Sequence, residues 1–500
     1  LSKGNLGVSS GQRKAADDTR EGAPQCTSVV LRPYQVEAID RTRQAYRDGA
    51  LAPLLVLPTG GGKTVVFSAI AASAVARGRR VLVLCHRREL IRQASQKLAA
   101  AGVPHGIIAP GHEPTDDMVQ VASVQTLARR LGDPLYATFD LIVLDEAHHA
   151  VAGQWAAIVA AYPNAKLLGV TATPERLDGK GLGREAGGTF DWMVEGPSVS
   201  ELTEAGYLVR ARVFAPAVAP DLSDVAVRAG DYDAGDLAKV MGSRALIGDT
   251  EAEYRRRAAG LPAVAFCVSV EHAKTVASEF RAAGWRAVAV SGGMSMAERD
   301  AALNGLATGE VQVLCTCDLI SEGLDVPAIG AAILLRPTKS LGLHVQQIGR
   351  GLRPAPGKDH LVVLDHAGNT QRHGLPDMPH AWSLLGRGKR SGRAPVRACP
   401  ECGAVCRVAA LACDECGHQF ERQSAELQTL AGELQEVTTA EKAAQQAERF
   451  RLLPLRRLLE EAQSESDLRA IAAARGYRPG WVWHTMQSRA AAQSGENPAA

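Results

Sequence analysis

Three glycines, a lysine and a threonine stand together at Gly60, Gly61, Gly62, Lys63 and Thr64, directly after the apolar run 54–57 and the turn residues Pro58 and Thr59. Residues without a Cβ let backbone amides close around an anion, and the helix expected to follow adds its positive N-terminal end. The stretch is a candidate phosphate-binding loop. Lys63 would meet β- and γ-phosphates, and Thr64 would give its hydroxyl to a Mg²⁺ bridging the same oxygens. The pattern G-x-x-x-x-G-K-[ST] wants glycine at position 57, where Leu57 stands, so only its second half is intact. A flexible surface turn is the plain alternative. A second candidate is the acidic pair that ends the apolar run 141–144: Asp145 would hold the Mg²⁺ through its hydration shell, and Glu146 would orient and deprotonate an attacking water. Read alone, the same residues make a solvated helix cap.

Cys399, Cys402, Cys413 and Cys416 form two C-x-x-C knuckles, each followed by glycine. Four thiolates so spaced suit a tetrahedral, structural Zn²⁺, and a short ribbon can fold on metal-binding energy without a core of its own. A redox pair is the runner-up. Cys406 is a spare thiol, either a replacement ligand or a small buried residue. Before the knuckles, Arg387, Lys389, Arg390, Arg393 and Arg397 run without an acidic neighbour, which reads equally as a phosphate-contacting arm and as a solvated linker. Near the end, Tyr477, Trp481 and Trp483 either stack on bases or form the core of a small helical module, the second being the preferred reading.

These residues need elements to position them. Apolar runs at 54–57, 81–85, 119–122, 141–144 and 167–170 alternate with helical patterns, and a second set occupies 264–268, 287–290, 311–315, 331–335 and 361–364. That alternation is the signature of doubly wound parallel sheets, whose ligands sit beyond the carboxyl ends of the strands. The expected organisation is a disordered tail over 1–28, an α/β domain over 29–196, linker and lead-in over 197–250, a second α/β domain over 251–385, a basic arm with zinc ribbon over 386–420 and a helical module over 421–500.

At 500 residues the chain is too long for one core, and 46% hydrophobic with 22% charged residues describes a globular protein. No apolar run approaches the roughly 20 residues of a membrane span, and the first 25 residues lack an apolar signal core, so a cytoplasmic protein without membrane contact is expected. The chain starts at Leu1 without a methionine, which leaves the start open. A net charge of +2 makes no global case for nucleic acid, so any such case rests on local motifs. Five of the ten cysteines cluster between 399 and 416, which favours a metal site over a disulfide framework.

With the loop and the acidic pair both visible, residues 29–354 resemble the superfamily 2 helicases and translocases, DEAD/DEAH-box proteins built on two RecA-like domains. The resemblance implies that LRPYQ at 31–35 reads adenine, with Arg32 and Gln35 in the nucleotide site. It implies that LCHRRELIRQ at 84–93 and VASVQTLARR at 121–130 grip one nucleic-acid strand, with Arg87, Gln125 and Thr126 as contacts. VTATP at 170–174 is similar to the coupling motif, so Thr171, Thr173 and His148 would link hydrolysis to the strand. CTCDLISEGLDVP at 315–327 resembles motif V, where Gly323 and Asp325 approach the nucleotide sugar and Thr316 the strand backbone. QQIGRGLRP at 346–354 resembles motif VI, making Arg350 and Arg353 the arginine fingers. CHRREL stands where DEAD-box RNA helicases have PTREL, and VQQIGR replaces their HRIGR. The wording is closer to DNA-repair and phage-type members.

The resemblance implies an ATP-dependent motor with ATP, Mg²⁺ and Zn²⁺ as cofactors, acting on nucleic acid, DNA before RNA. The rivals are a duplex translocase that unwinds nothing, an RNA helicase and an ATP-gated clamp that holds nucleic acid without turnover. The presence of Glu146, Arg350 and Arg353 argues for turnover. The ribbon is expected to fold on its metal alone, so that its loss would spare basal ATPase activity.

Overall fold

The computed structural model describes residues 30–150, 153–176, 179–216, 220–228, 230–241, 244–317, 329–386, 394–420 and 439–494. Gly323, Asp325, Arg387, Lys389, Arg390, Arg393 and the expected tail 1–28 lie outside the described residues.

The first domain is a seven-stranded parallel sheet in the order β3-β4-β2-β5-β6-β1-β7. Its strands are β1 (Pro53–Val56), β2 (Val81–Cys85), β3 (Gly106–Ile108), β4 (Val119–Ser123), β5 (Leu141–Asp145), β6 (Lys166–Thr171) and β7 (Trp192–Glu195). Helices cover both faces, so the central strands are apolar throughout; Leu54, Leu55, Leu82, Val83, Ile142 and Val143 are all fully buried.

The stretch 197–250, expected as linker, is more than a connector. It supplies β8 (Arg210–Phe214), a hairpin of β9 (Val227–Arg228) and β10 (Asp231–Tyr232), and the helix Ala234–Met241. β8 pairs in parallel with β15 and closes one edge of a second parallel sheet, ordered β12-β13-β11-β14-β15-β8. The other strands are β11 (Ala263–Phe266), β12 (Ala287–Val290), β13 (Val313–Thr316), β14 (Ala331–Leu334) and β15 (His360–Asp365).

The cysteine region forms a small antiparallel ribbon, β16 (Val396–Ala398) and β17 (Val405–Arg407). It is fused to the edge of the second domain: Ala404 bridges Phe214, and Cys399 and Cys413 share a core cluster with Phe214, Tyr254 and Phe280. The helices Thr439–Leu452, Leu455–Glu461, Glu465–Arg475 and Pro479–Ser494 return to the first domain, where Phe450, Leu458, Ile471, Tyr477 and Trp481 join its core. Tyr477 and Trp481 are therefore core residues, while Trp483 points outward at 59% exposure. No helix among the described residues is long and apolar enough to cross a membrane.

Candidate active site between the two domains

β1 ends at Val56, and the chain turns through the glycines into the helix Lys63–Val75. Gly60 and Gly62 hold φ of +88° and +80°, and a Cβ on Gly62 would stand 2.3 Å from Gln35 Nε2, so this turn requires glycine. No side chain caps the helix, which leaves its first amides directed at the loop. The helix Pro33–Arg47 clamps the loop from outside: Tyr34 Oη donates to Gly61 O at 3.0 Å and Gln35 Nε2 reaches the same oxygen at 3.5 Å. Gln35 Oε1 accepts from Arg32 N at 3.0 Å, so the side chain expected to read adenine is engaged with the loop and its own helix start. Arg32 lies 4.8 Å over the ring of Tyr207, which also meets Tyr34 at 5.1 Å. Tyr34 stands inside LRPYQ, whereas no motif marks Tyr207.

β6 lies beside β1 and β5 beside β6, with Thr171 opposite Val56 and Asp145 opposite Val170, so Asp145 and Thr171 stand at the strand ends that lead to the loop. Burial pulls the Lys63 ammonium below its ordinary range, opposed by Glu146 and Asp145 and reinforced by Arg350 and Arg353. Burial and the adjoining Glu146 push the Asp145 carboxyl up to about 7, with Lys63 working against them. Glu146 is held at φ +48°, the one positive φ outside glycine among the described residues, and such local strain clusters at functional sites. Its buried Oε2 accepts no hydrogen bond. A buried, oxygen-only pair beside one lysine fits a hard divalent cation with a bound water, so Asp145 and Thr64 are suited to Mg²⁺.

The coupling candidates form a chain. His148 Nδ1 is 3.5 Å from Glu146 Oε2 and 3.2 Å from Thr171 Oγ1, and Thr171 Oγ1 donates to Thr173 O at 3.0 Å. Thr173 in turn abuts the second domain, where a Cβ on Gly342 would lie 3.0 Å from its Oγ1.

Arg350 follows the helix Leu341–Gly349 and is 6% exposed. Gly349 packs on the loop so closely that a Cβ there would stand 2.5 Å from Thr59 Cβ, and the stem of Arg353 approaches Gly60 in the same way at 3.4 Å. Lys358, absent from the sequence-derived set, anchors this turn by donating to Gly351 O at 2.5 Å and Arg353 O at 2.8 Å. Its pKa falls to about 8 through burial and the neighbouring Arg353.

The strand-contact candidates are brought together only in part. Arg87 Nε meets His86 Nε2 at 3.4 Å, and Gln125 Nε2 reaches His86 O at 3.4 Å, so the ends of adjacent β2 and β4 present both residues around His86. The ring of His86 meets that of His149 at a tilt, 4.5 Å apart, and His149 meets His148 at 4.1 Å, which joins this face to the acidic pair. Thr126 stands beside Gln125 on the helix Val124–Arg129. Thr316 ends β13 in the other domain, 1% exposed, with its Oγ1 accepting and donating nothing.

In the ribbon, the sulfurs of Cys399, Cys402, Cys413 and Cys416 all lie within 4.8 Å of one another, with Cys399–Cys416 and Cys402–Cys413 each at 3.6 Å. Tetrahedral Zn–S bonds of about 2.3 Å require sulfur separations of roughly 3.8 Å, so the donor set fits Zn²⁺. Gly403 and Gly417, at φ +73° and +76°, donate to Cys399 O and Cys413 O at 2.9 Å and close the knuckles. Cys406 is buried outside the group, its thiol directed at Ala404 O.

Comparison with known proteins agrees with this geometry. Residues 28–176 match the family described as type III restriction enzyme, res subunit, and residues 248–355 match the helicase conserved C-terminal domain. A 51.5 kDa protein of a Lactococcus phage is 35% identical over 369 residues, 73% of this chain and 77% of the phage protein. The "Putative ATP-dependent helicase IRC3" of Saccharomyces cerevisiae is 32% identical over 367 residues, 69% of this chain and 52% of the yeast protein. The chain thus spans about half of that relative's length. The fragment structure of a "putative HsdR subunit" of a type I restriction enzyme from Vibrio vulnificus YJ016 shares the fold, with a TM-score of 0.54 at 22% identity over 69% of this chain and 65% of that one. The chain belongs to the superfamily 2 helicases. It is an ATP-hydrolysing enzyme of the helicase and translocase class.

Proposed function

We propose that this enzyme is a DNA-directed motor in which ATP hydrolysis waits on closure of the two RecA-like domains. The observation that carries the reading is the contact of Thr59 with Gly349, next to which Arg350 of one domain acts on the charges of Lys63 and Asp145 of the other. In this reading the loop amides and Lys63 hold the β- and γ-phosphates. Thr64 and Asp145 would hold Mg²⁺, which supplies neutralising charge to the phosphate oxygens. Glu146 takes a proton from the attacking water, its Oε2 being buried and open to a donor. Arg350 and Arg353 meet charge developing on the transferred phosphoryl group. Arg87, Gln125 and Thr126 grip a strand, and the chain from Glu146 through His148 and Thr171 passes the state of the site toward that grip. Contacts to sugar and phosphate leave the motor indifferent to sequence. DNA as the track is supported by the restriction-enzyme family match and by the phage- and repair-type wording of the motifs. Zn²⁺ in the four-cysteine ribbon serves structure.

The test is steady-state ATP hydrolysis by wild type and Glu146→Gln, each alone and with single-stranded DNA, duplex DNA or RNA. DNA should stimulate the wild type, and the substitution should lower the stimulated rate about 10²–10⁴-fold. Stronger stimulation by RNA would replace the track, and no turnover with any polymer would replace the motor by a clamp.

A further inference from the structure

The hairpin of β9 and β10 lies in the stretch 197–250, and nothing in the hydrolysis scheme uses it. Its surroundings give it a position. Val225, Leu237 and Met241 pack on Val268, which follows the end of β11, and the Cys317 thiol donates to Val268 O at 3.2 Å just beyond Thr316. Asp231 ties the hairpin to the end of β14, accepting from Thr338 Oγ1 at 2.9 Å and Lys339 N at 2.7 Å. The hairpin therefore stands at the carboxyl ends of β11, β13 and β14, the edge where open α/β sheets place ligands.

Two cations from outside the hairpin flank its one ring, which packs on the same apolar cluster. Lys339 Nζ lies 5.3 Å and Arg372 Cζ 5.7 Å from the centroid of Tyr232. Tyr232 is half-buried and pairs across the hairpin with the exposed Val227. The hairpin's carboxylates are already engaged: Asp231 as described, and Asp233 with Arg228 at 3.2 Å and with the amides of Gly235 and Asp236. Lys339 is exposed, and no carboxylate among the described residues pairs with it. Arg372 also donates to Asn369 Oδ1 at 2.9 Å and Ala367 O at 3.5 Å, which fixes its charge beside the ring and leaves the exposed Lys339 ammonium to meet a phosphodiester backbone.

We propose that Tyr232, Lys339 and Arg372 form a second-domain contact for single-stranded nucleic acid, next to Thr316, with Lys339 meeting a backbone phosphate. The proposal rests on the motor reading above, and adds to it a contact that no motif of the resemblance includes. Tyr232 acts as a positioning residue, since it orients the cations and need not touch the strand.

The test uses the full chain and a fluorescent oligo-dT strand, with affinity measured over a range of salt. Lys339→Ala should weaken binding about fivefold and flatten the slope of log K against log salt by about 0.7, the share of one phosphate on a single strand. Tyr232→Ala should weaken binding further, and Tyr232→Phe should match the wild type, because a phenyl ring holds cations as well. Basal ATP hydrolysis should stay within twofold in all three. A slope unchanged in Lys339→Ala, a substitution at an exposed side chain that leaves folding intact, would overturn the assignment. Loss of basal hydrolysis in Tyr232→Ala would make the ring a folding residue and overturn it too. A wild type that binds no strand would overturn the motor reading together with this one, and is separate from the outcome in which the wild type binds and the variants equal it.

Discussion

Glu89 of the first domain accepts a hydrogen bond from Arg299 of the second at 2.6 Å, with side-chain exposures of only 21% and 14%. Between the same two helices, Arg88–Ala100 and Met296–Thr308, Arg92 pairs with the neighbouring Asp300 at 3.0 Å on a more open surface. The partly buried pair is the stronger candidate for holding the domains together, because solvent screens the second. Charge reversal by Arg299→Glu should lower DNA-stimulated ATP hydrolysis about tenfold, since like charges would face each other across the closing surface. The swap Glu89→Arg with Arg299→Glu should recover most of it. A double variant no better than the single one, in the same steady-state assay, would remove the pair from closure.

The ribbon is tied to the second domain more firmly than its sequence implies. Glu415, between two knuckle cysteines, pairs with both Arg210 and Arg212 of the edge strand β8, and Cys399 and Cys413 are buried in that domain's core. Despite burial, which raises it, the Cys413 thiol comes down to about 7 through the amides of Glu415 and Cys416, which favours the thiolate a metal requires. The expectation that ribbon loss spares ATP hydrolysis is therefore revised. Cys413→Ser should release zinc and lower the thermal midpoint of the second domain, with hydrolysis falling in parallel. Metal analysis and calorimetry on the same sample check both, and full zinc content in the variant would reassign the ligand.

What was legible in the sequence follows from how completely each element is covered. Central strands such as β1 and β5 are buried on both faces, so 54–57 and 141–144 read as unbroken apolar runs. Of the four edge strands only β12, read at 287–290, was legible. β3 has three residues, β7 ends in Glu195, and β8 begins with an exposed arginine, because an edge meets only part of the core. The glycines, Lys63 and the acidic pair were legible because phosphate chemistry restricts residue type at fixed spacing. Lys358 and Tyr207 were not, because each acts through a contact made by folding, and His86, though inside LCHRRELIRQ, owes its ring contact with His149 to the same cause. The fate of the aromatic tail was half legible: burial of Tyr477 and Trp481 fits a helical core, but that the core belongs to the first domain is a tertiary fact.

Acid sensitivity should trace to His344, on the helix that carries Arg350. It is 1% exposed, and burial lowers its pKa from 6.5 to about 4, helped by the nearby His380 and Arg372 and opposed by Gly374 O. The folded value lies below the unfolded one, so as pH falls the unfolded chain takes up the proton first. Stability is complete above pH 6.5 and is lost between there and about 4, by at most roughly 3 kcal/mol for this group. Buried His272 is shifted in the same direction by burial. Denaturant titrations of wild type and His344→Gln between pH 7 and 5 should show a shallower pH slope in the variant. Parallel curves would place the acid sensitivity elsewhere.

Arg475 is the largest fully buried side chain of the described residues, and its one charged partner among them is Glu195, at 2.5 Å. Its other donors serve the carbonyls of Phe450 and Leu453, so one guanidinium joins the turn between two C-terminal helices to the last residue of β7. Removing the arginine would strand a buried carboxylate and two carbonyls, and breaking a buried pair from one side costs about 3–5 kcal/mol. Arg475→Met should therefore free the C-terminal helices to proteolysis while the two sheets stay folded. Glu195→Gln should cost less, because the amide still accepts from Arg475 and Tyr477. The consequence reaches the nucleotide site by packing: Gly196 follows Glu195, and a Cβ on Gly196 would stand 2.3 Å from Leu57 Cδ2, at the entrance to the phosphate loop. Loosening Glu195 releases Leu57, so the KM for ATP should rise severalfold in Arg475→Met with less change in kcat. An unchanged KM alongside released helices would show that the module stabilises the first domain without shaping its loop.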